Sequence, residues 1–133
     1  MSDDERPERG AITWIDLTIP NADEVKRFYA DVVGWKPEPV AMGDYDDWNM
    51  TAPGTGRPMA GVCHSRGVNA DLPPQWLIYI NVPNLDHSIA MVEELGGTLV
   101  RPATSMGSYG RYCVVKDPAG AVAALFEPAG GTR

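Results

Sequence analysis

The sequence is poor in the residues that build most catalytic and metal sites. It has two cysteines and two histidines in 133 residues, and Cys63 and Cys113 stand alone rather than in C-x-x-C pairs. Isolated thiols of this kind are typical of small core residues rather than of ligands or a redox pair. The sequence also lacks a Gly-rich phosphate loop, an H-E-x-x-H motif and a serine or cysteine nucleophile with a histidine base. No common catalytic motif is therefore present.

The chain is also short of basic residues and of long apolar runs. Its 11 lysines and arginines against 18 aspartates and glutamates give a net charge of -7, which argues against a nucleic-acid partner. No apolar run approaches the roughly 18 residues that a membrane-spanning helix needs, and the N-terminus lacks the basic-then-apolar pattern of a signal peptide. We therefore expect a cytoplasmic protein without a membrane or nucleic-acid partner.

What the sequence does contain is one pattern that occurs twice. The segment Ile19–Asp23 (IPNAD) returns as Val82–Asp86 (VPNLD), and Gly34 returns as Gly97 at the same spacing. Apolar residues alternate before each Pro-Asn and follow helical spacing after it, which predicts a strand, a helix and further strands. Because the unit is long and occurs only twice, it indicates one domain built from two similar halves. A cleft between such halves is the expected place for a functional site.

The repeat also predicts the boundaries within the chain. A disordered tail, a single domain and a short C-terminal tail are expected at 1–10, 11–128 and 129–133. The domain itself is divided into module one, a polar linker and module two at 11–65, 66–74 and 75–128.

Each module is predicted to begin with a strand and to continue with a helix. Residues 12–19 alternate as a strand, and Asn21 and Glu24 form a capping-box pattern at the start of the first helix. The apolar stripe of this helix comprises Val25, Phe28, Tyr29, Val32 and Val33. In module two, Trp76–Val82 is the strand and Asn84 the helix cap. The predicted class is α+β, with two βαβββ modules that form curved mixed sheets around a central cleft and keep their helices outside.

Several short motifs resemble one known family. They are Trp14-Ile15-Asp16-Leu17, Phe28-Tyr29, Gly34-Trp35, Trp76-x-x-Tyr79-Ile80-x-Val82, Leu95-Gly96-Gly97 and Asp117-Pro118-x-Gly120. In this order and spacing they resemble the vicinal oxygen chelate superfamily, which contains glyoxalase I, fosfomycin and bleomycin resistance proteins and extradiol dioxygenases. The resemblance covers nearly all of 12–127 and implies the fold described above.

The resemblance also implies where metal ligands would lie, and this sequence departs from the family there. The positions of the two histidines fall on Trp14 and Leu77, the last glutamate falls on Ala124, and its counterpart falls on Met59 or Gly61. None of these side chains binds a divalent cation. The remaining histidines, His64 and His87, are interpreted as a strand-end polar residue and a solvated helix start. We therefore expect a metal-ligand-free branch of the family, with no metal and no cofactor.

Strand periodicity predicts which residues share the cleft face with these positions. They are Trp14, Asp16 and Thr18 in the first strand, Leu77, Tyr79 and Asn81 in the fifth, and Val122, Ala124 and Phe126 in the eighth. Trp48 is a further candidate for the ligand site. A mostly apolar surface with a carboxylate, a phenol and an amide suits an organic ligand with a flat apolar body and a few polar groups.

Three functions are compatible with this site. The first is a glyoxalase/bleomycin-resistance-like protein that binds an organic small molecule without a metal, through Trp14, Thr18, Trp48, Leu77, Asn81, Ala124 and Phe126. The second is a metal-independent lyase or isomerase with Asp16 as general base and Tyr79 as hydrogen-bond donor. The third is a metal-dependent glyoxalase-like lyase or dioxygenase. The resemblance further implies a homodimer, since the edges of open sheets need covering.

Overall fold

A computed structural model of the chain describes residues 4–66 and 72–133. The chain divides into two compact units. The first unit is Trp14–Trp76, and the second is Leu77–Arg133 together with the segment that ends at Thr13. The order strand, helix and three strands occurs twice along the chain. The predicted α+β class with two βαβββ modules is therefore confirmed.

The first module forms a mixed four-stranded sheet with one helix. Its elements are β1 (Ile12–Ile19), α1 (Ala22–Val33), β2 (Lys36–Ala41), β3 (Asp46–Thr51) and β4 (Pro58–His64). The strand order is β2-β3-β4-β1. β1 runs parallel to β4, with Asp16 opposite Gly61, while β2, β3 and β4 are antiparallel neighbours. The first and last strands of the module thus lie side by side.

The core of the first unit lies between this sheet and α1. Alternation along β1 turns Leu17 and Ile19 to this face, where they pack with Met50 and Val62. Burying each such side chain contributes about 1.5–3 kcal/mol to folding. The opposite face of the sheet, which carries the other residues of β1, is not covered by α1.

An aromatic group extends the same core. The rings of Tyr29, Trp35 and Trp76 lie with their centroids 5.2 to 6.0 Å apart. The indole of Trp76 donates a hydrogen bond to the hydroxyl of Tyr29 at 3.2 Å. Because this bond satisfies the indole donor, the ring of Trp76 buries apolar area without leaving its N–H group unpaired.

The start of α1 differs from the predicted capping box. The side chain of Asn21 accepts no backbone N–H group, and its Nδ2 instead lies 3.5 Å from Oε2 of Glu24. The reason is its backbone, which has φ -107° and ψ 48° rather than the extended conformation of a usual cap. The predicted end of the helix is confirmed, because Gly34 is left-handed with φ 87° and its N–H group donates to the carbonyl of Ala30.

The second module repeats this arrangement. Its elements are β5 (Trp76–Asn81), α2 (Leu85–Glu94), β6 (Thr98–Ser105), a 3-10 turn (Gly107–Tyr109), β7 (Gly110–Lys116) and β8 (Val122–Pro128). The strand order is β5-β8-β7-β6, with β5 and β8 parallel and the other pairs antiparallel. Here too the first and last strands are neighbours, so the sequence repeat is a structural repeat.

The second core lies between α2 and its sheet. Leu85, Cys113 and Val115 are its buried centre, and partly buried apolar residues from α2, β6 and β8 pack around them. The predicted cap of α2 is confirmed, since Oδ1 of Asn84 accepts the N–H group of His87 at 3.0 Å. A second acceptor for this helix start, the carboxylate of Glu127, receives the N–H group of Leu85 at 2.6 Å.

The predicted tail and linker fall partly on 1–3 and 67–71, which lie outside the described residues. Within the described part of the tail, the N–H group of Gly10 donates to the carbonyl of Asn81 at 2.8 Å. Arg133 and Pro7 are joined by a further backbone hydrogen bond of 3.1 Å. Residues 7–10 are therefore attached to the second unit instead of forming a free tail, because their backbone groups pair with the end of β5 and with the C-terminus.

Part of the predicted stripe of α1 lies on the surface. Val25 and Tyr29 pack on the core, whereas Phe28, Val32 and Val33 are 56%, 65% and 53% exposed. Such a cluster of large apolar side chains on one helix is unusual for a surface without a partner. Neither helix of the described segments combines the length and hydrophobicity that crossing a bilayer requires.

Candidate functional site

One predicted set of site residues shares the sheet face of the first unit that α1 does not cover. Alternation along β1 places Trp14, Asp16 and Thr18 on this face. The parallel ladder adds Gly61 beside Asp16 and Cys63 beside Thr18. This surface, Trp14, Asp16, Thr18, Gly61 and Cys63, is called the Trp14 face. The three residues predicted from β1 are thus brought together.

Because Gly61 has no side chain, those of Asp16 and Trp14 can lie close to its backbone. A Cβ atom at position 61 would lie 3.1 Å from Cβ of Asp16 and 3.3 Å from the indole of Trp14. Asp16 itself is only 9% exposed. A larger residue in place of Gly61 would push the carboxylate and the indole apart, so the glycine sets the geometry of the Trp14 face.

The thiol on this face is held in its neutral form. Burial raises the pKa of Cys63 far above its usual range, and the nearby carboxylates of Asp16 and Asp47 raise it further. Burial also raises the pKa of Cys113 in the second unit to about 11. Since the thiolate is the nucleophile and metal ligand, neither cysteine is activated for either role.

Trp48 does not join this set. It pairs with Val62 in the β3–β4 ladder, and Val62 belongs to the core under α1. Its indole N–H donates to Asp23 at 3.0 Å, and Nζ of Lys26 lies 3.2 Å from the ring centroid. Trp48 therefore lies on the opposite face of the sheet from Trp14, where it packs against α1.

The two histidines also have structural partners. His64 ends β4, where its N–H group donates to Asp47 at 2.9 Å and its ring lies 3.4 Å from the same carboxylate. The ring of Tyr45 stacks edge-on against it, with centroids 5.2 Å apart. His87 lies in the first turn of α2 and is exposed. Both positions agree with the polar strand-end and helix-start roles expected from the sequence.

The other predicted set shares a face of the second sheet. The β5–β8 ladder places Tyr79 beside Ala124 and Asn81 beside Phe126, and Leu77 lies on the same side of β5. This surface also includes Tyr112 and Val114 of β7, which pair with Phe126 and Ala124. It is called the Tyr79 face and comprises Leu77, Tyr79, Asn81, Tyr112, Val114, Val122, Ala124 and Phe126. All of the residues predicted from β5 and β8 therefore lie together.

The Tyr79 face carries both aromatic rings and a buried amide. The rings of Tyr79 and Tyr112 have centroids 6.0 Å apart, and Asn81 is 1% exposed. Oδ1 of Asn81 accepts a hydrogen bond from the hydroxyl of Thr13 at 3.2 Å. Its Nδ2 is buried and has no hydrogen-bond partner among the described residues. The face thus combines flat apolar surface with an available donor.

Three residues on this side of the sheet, Tyr112, Val114 and Arg101, are not among the site residues predicted from the sequence. Tyr112 was assigned only to a strand, although alternation along β7 would have placed it with Phe126. Arg101 of β6 pairs with Val114 and so lies on the same face, and its Nε is buried without a partner in the described structure. Its position follows from an irregularity in β6 that no periodicity in the sequence reveals.

The residues present do not fit a metal centre of the family type. In the described segments, no three His, Cys, Asp or Glu side chains are grouped so as to hold a metal ion. The positions at which the family resemblance implies ligands carry Trp14, Leu77, Ala124 and either Met59 or Gly61, none of which offers a suitable donor. These positions therefore do not fit the divalent cation of metal-dependent members.

A cavity of about 430 Å³ lies elsewhere in the second unit. It opens between α2 and the strands β7 and β8, and its walls include Met91, Leu95, Val115 and Pro118. It contains none of the predicted site residues. It is therefore separate from the Tyr79 face, which lies on the other side of the sheet from α2.

Comparison with protein families gives one match that spans most of the chain. The family described as "Glyoxalase/Bleomycin resistance protein/Dioxygenase superfamily" matches residues 11–125. This range includes β1 and the first four residues of β8, and hence the Trp14 face and all of the Tyr79 face except Phe126.

Two curated relatives match nearly the whole chain. "Putative glyoxylase CFP32" of Mycobacterium bovis is 30% identical over 124 residues, which covers 90% of this chain and 46% of that protein. "Anthracycline biosynthesis protein DnrV" of Streptomyces peucetius is 27% identical over 132 residues, covering 88% of this chain and 46% of that protein. The chain thus spans about half the length of the curated relatives it matches.

Solved structures with low sequence identity share the fold. Glyoxalase I from Zea mays has a TM-score of 0.62 at 18% identity, covering 97% of this chain and 47% of that one. Methylmalonyl-CoA epimerase from Mycobacterium tuberculosis has a TM-score of 0.53 at 19% identity, covering 90% of this chain and 88% of that one. At these identities the likeness concerns the fold alone.

Proposed function

Since this chain belongs to the glyoxalase/bleomycin resistance protein/dioxygenase superfamily, we propose that it binds a small organic molecule. The observation that carries the proposal is the buried Nδ2 of Asn81, which has no partner in the described structure and belongs to the residue that pairs with Phe126 on the Tyr79 face. A buried donor left unpaired costs about 1–3 kcal/mol. A ligand acceptor at this place would remove that cost, and flat apolar surface with few polar groups is typical of small-molecule sites.

Each unit by itself has a set of proposed ligand-binding residues. In the second unit they are Leu77, Asn81, Ala124 and Phe126, with Tyr79 as a hydrogen-bonding group. In the first unit they are Trp14 and Thr18. Trp48 is not included, because its indole packs against α1. Binding is proposed to need no divalent metal, because the corresponding ligand positions hold Trp14, Leu77 and Ala124.

The ligand can be sought by a thermal-shift screen of protein treated with a chelator. The screen contains aromatic metabolites, bleomycin and anthracyclines, the last because one relative is named for anthracycline biosynthesis. For a ligand so found, Trp14→Ala should weaken binding by about 1 kcal/mol beyond the loss of buried area, since an aromatic stacking surface is removed. The dissociation constant is measured by titration calorimetry.

Trp48→Ala is the matched control for this variant. It removes the same side chain from the opposite face of the same sheet, so it should reduce stability but leave the dissociation constant unchanged. Equal binding by the wild type and Trp14→Ala would refute the assignment of the Trp14 face. Binding that appears only after zinc, nickel, iron or manganese is restored would refute the proposal of metal-free binding.

A second candidate function rests on Asp16. Its carboxylate is 9% exposed and lies next to Trp14 and Gly61, a setting in which it would serve as the general base of a metal-independent lyase or isomerase. Asp16→Asn preserves the shape of the side chain but removes the base. If this candidate is correct, the variant should still bind the ligand while its turnover falls roughly 10²-fold or more. Mass spectrometry of the ligand after incubation distinguishes conversion from binding alone.

We also propose a homodimer that covers the exposed side of α1. Phe28, Val32 and Val33 are exposed apolar residues of this helix, with Phe28 and Val32 one turn apart, and the curated relatives have about twice the length of this chain. A second copy would bring the assembly to about the length of these relatives. In sedimentation equilibrium, the wild type should have twice the mass of one chain, and Val32→Glu should shift the protein to the monomer.

Arg27→Glu is the control for the dimer, since Arg27 is an exposed polar residue of the same helix. It should remain dimeric. A wild-type protein that sediments as a monomer at micromolar concentration, or a Val32→Glu variant that stays dimeric, would contradict this arrangement.

A further inference from the structure

The position of Arg101 results from an extra residue in β6. Leu99 pairs with Val115 and Arg101 with Val114, so two steps along β6 correspond to one step along β7. In a regular strand, residues two apart lie on the same face. Here the irregularity at Val100 acts as a β-bulge and turns Arg101 to the opposite face from Leu99.

The two neighbours therefore have different surroundings. Leu99 packs with the core under α2. Arg101 lies on the Tyr79 face, in the cross-strand row that also contains Val114, Ala124 and Tyr79. Bulges are common beside functional sites, where they redirect a side chain. A cation directed at a mostly apolar face, with its Nε buried and unpartnered in the described structure, is difficult to explain by folding alone.

On the basis of the proposed function, we propose that the ligand is an organic carboxylate and that Arg101 binds its carboxylate group. Adjacent strands are about 4.8 Å apart, so three steps across the sheet separate the Cα atoms of Arg101 and Tyr79 by about 14 Å. The residues between them are Val114 and Ala124, which have small side chains. A ligand that reaches both the guanidinium and the phenol would need a flat body of about this length.

The charge and geometry favour a carboxylate over a phosphate. A single guanidinium on a chain of net charge -7 matches one negative charge better than a dianion. The planar fork of arginine also matches the two oxygens of a carboxylate. Nδ2 of Asn81, on the neighbouring cross-strand row, would then donate to an acceptor elsewhere on the ligand.

A matched pair of probes tests this inference. Cinnamate and cinnamamide have the same flat body, but only cinnamate carries the carboxylate. Wild-type protein should bind cinnamate roughly tenfold or more tightly than cinnamamide, as expected for hydrogen bonds to a charged group. In ¹H–¹⁵N NMR spectra, cinnamate should shift the Nε–H signal of Arg101, and cinnamamide should shift it much less.

Variants separate the charge of Arg101 from its packing. Arg101→Gln should lose the preference for cinnamate while binding cinnamamide as before, and Arg101→Lys should retain a reduced preference. Arg27→Gln, on the exposed surface of α1, makes the same charge change and should behave as the wild type. The NMR titration of the wild-type protein decides the question even where a variant folds poorly.

The results distinguish carboxylate binding by Arg101 from the more general proposal that the protein binds a small organic molecule. Equal binding of both probes, with shifts of the Tyr79, Tyr112 and Phe126 signals, would overturn the carboxylate assignment and leave the Tyr79 face as a binding site. Absence of any shift on this face up to the solubility of both probes would overturn the inference and count against the proposed function as well.

Discussion

Replacement of Gly110 by alanine should lower the free energy of unfolding by about 3 kcal/mol or more. Gly110 has φ 138°, a conformation that side chains rarely adopt. An added Cβ atom would overlap the carbonyl oxygen of Glu127 and lie 3.0 Å from the backbone nitrogen of Ala129. Because Gly110 pairs with Pro128 in the β7–β8 ladder, the overlap is between two backbones and no rotamer change relieves it.

Gly107→Ala provides the control, measured in the same urea denaturation series followed by circular dichroism. Gly107 also has a positive φ of 63°, but no atom lies within 4 Å of its would-be Cβ. This variant should lose only the roughly 1–2 kcal/mol of a left-handed backbone. If both variants lose similar amounts of unfolding free energy, the overlap with the carbonyl oxygen of Glu127 does not cause the loss in Gly110→Ala.

The second large effect is expected at Glu127. Its carboxylate accepts the N–H group of Leu85 at the start of α2 and binds Arg111 through both oxygens, at 3.1 and 3.2 Å. Arg111 also binds Asp86 at 3.1 Å, so one guanidinium connects β7, β8 and α2. Glu127→Gln should lower the free energy of unfolding at pH 7 by about 1.5–3 kcal/mol, the usual contribution of a hydrogen bond to a charged group.

This loss should depend on pH. The hydrogen bonds from Arg111, followed by that from Leu85, hold the pKa of Glu127 below its usual range. A carboxyl whose pKa is lowered by folding contributes stability above its unfolded pKa of about 4.3, and that stability disappears as the pH falls through the folded value. The difference between the wild type and Glu127→Gln should therefore be full at pH 7 and shrink below about pH 4.

Glu93→Gln is the matched control, because Glu93 is an exposed carboxylate on α2. Urea denaturation of the three proteins from pH 3 to pH 7 gives the comparison. A constant difference between the wild type and Glu127→Gln across this range would contradict the assigned ion pair, as would an equal loss in Glu93→Gln.

Most of the fold was predictable because it depends on local periodicity. The alternation of 12–19 and the helical spacing after each Pro-Asn gave strands and helices close to their observed bounds, and Asn84 and Gly34 act at helix ends as predicted. The sequence repeat predicted two similar modules, because each copy has its own local pattern of strand and helix. Asn21 failed as a cap because its backbone conformation, which the residue type does not determine, directs its side chain to Glu24.

The composition of the candidate site was predictable only where strands are regular. Alternation correctly grouped Trp14 with Asp16, and Tyr79 with Asn81, because residues two apart share a face in any regular strand. The face of Trp48 was not predictable, because it depends on which residue Trp48 pairs with in β4, and the pairing register comes from the assembled sheet.

The sequence by itself determined the α+β class and the twofold repeat, since these depend on residue type and short-range spacing. Only the tertiary structure decided that Arg101 faces Ala124 and Tyr79, that Glu127 holds the start of α2, and that Gly110 admits no side chain. Each of these depends on contacts between distant segments, and a single bulge residue in β6 is enough to reverse the face on which a side chain lies.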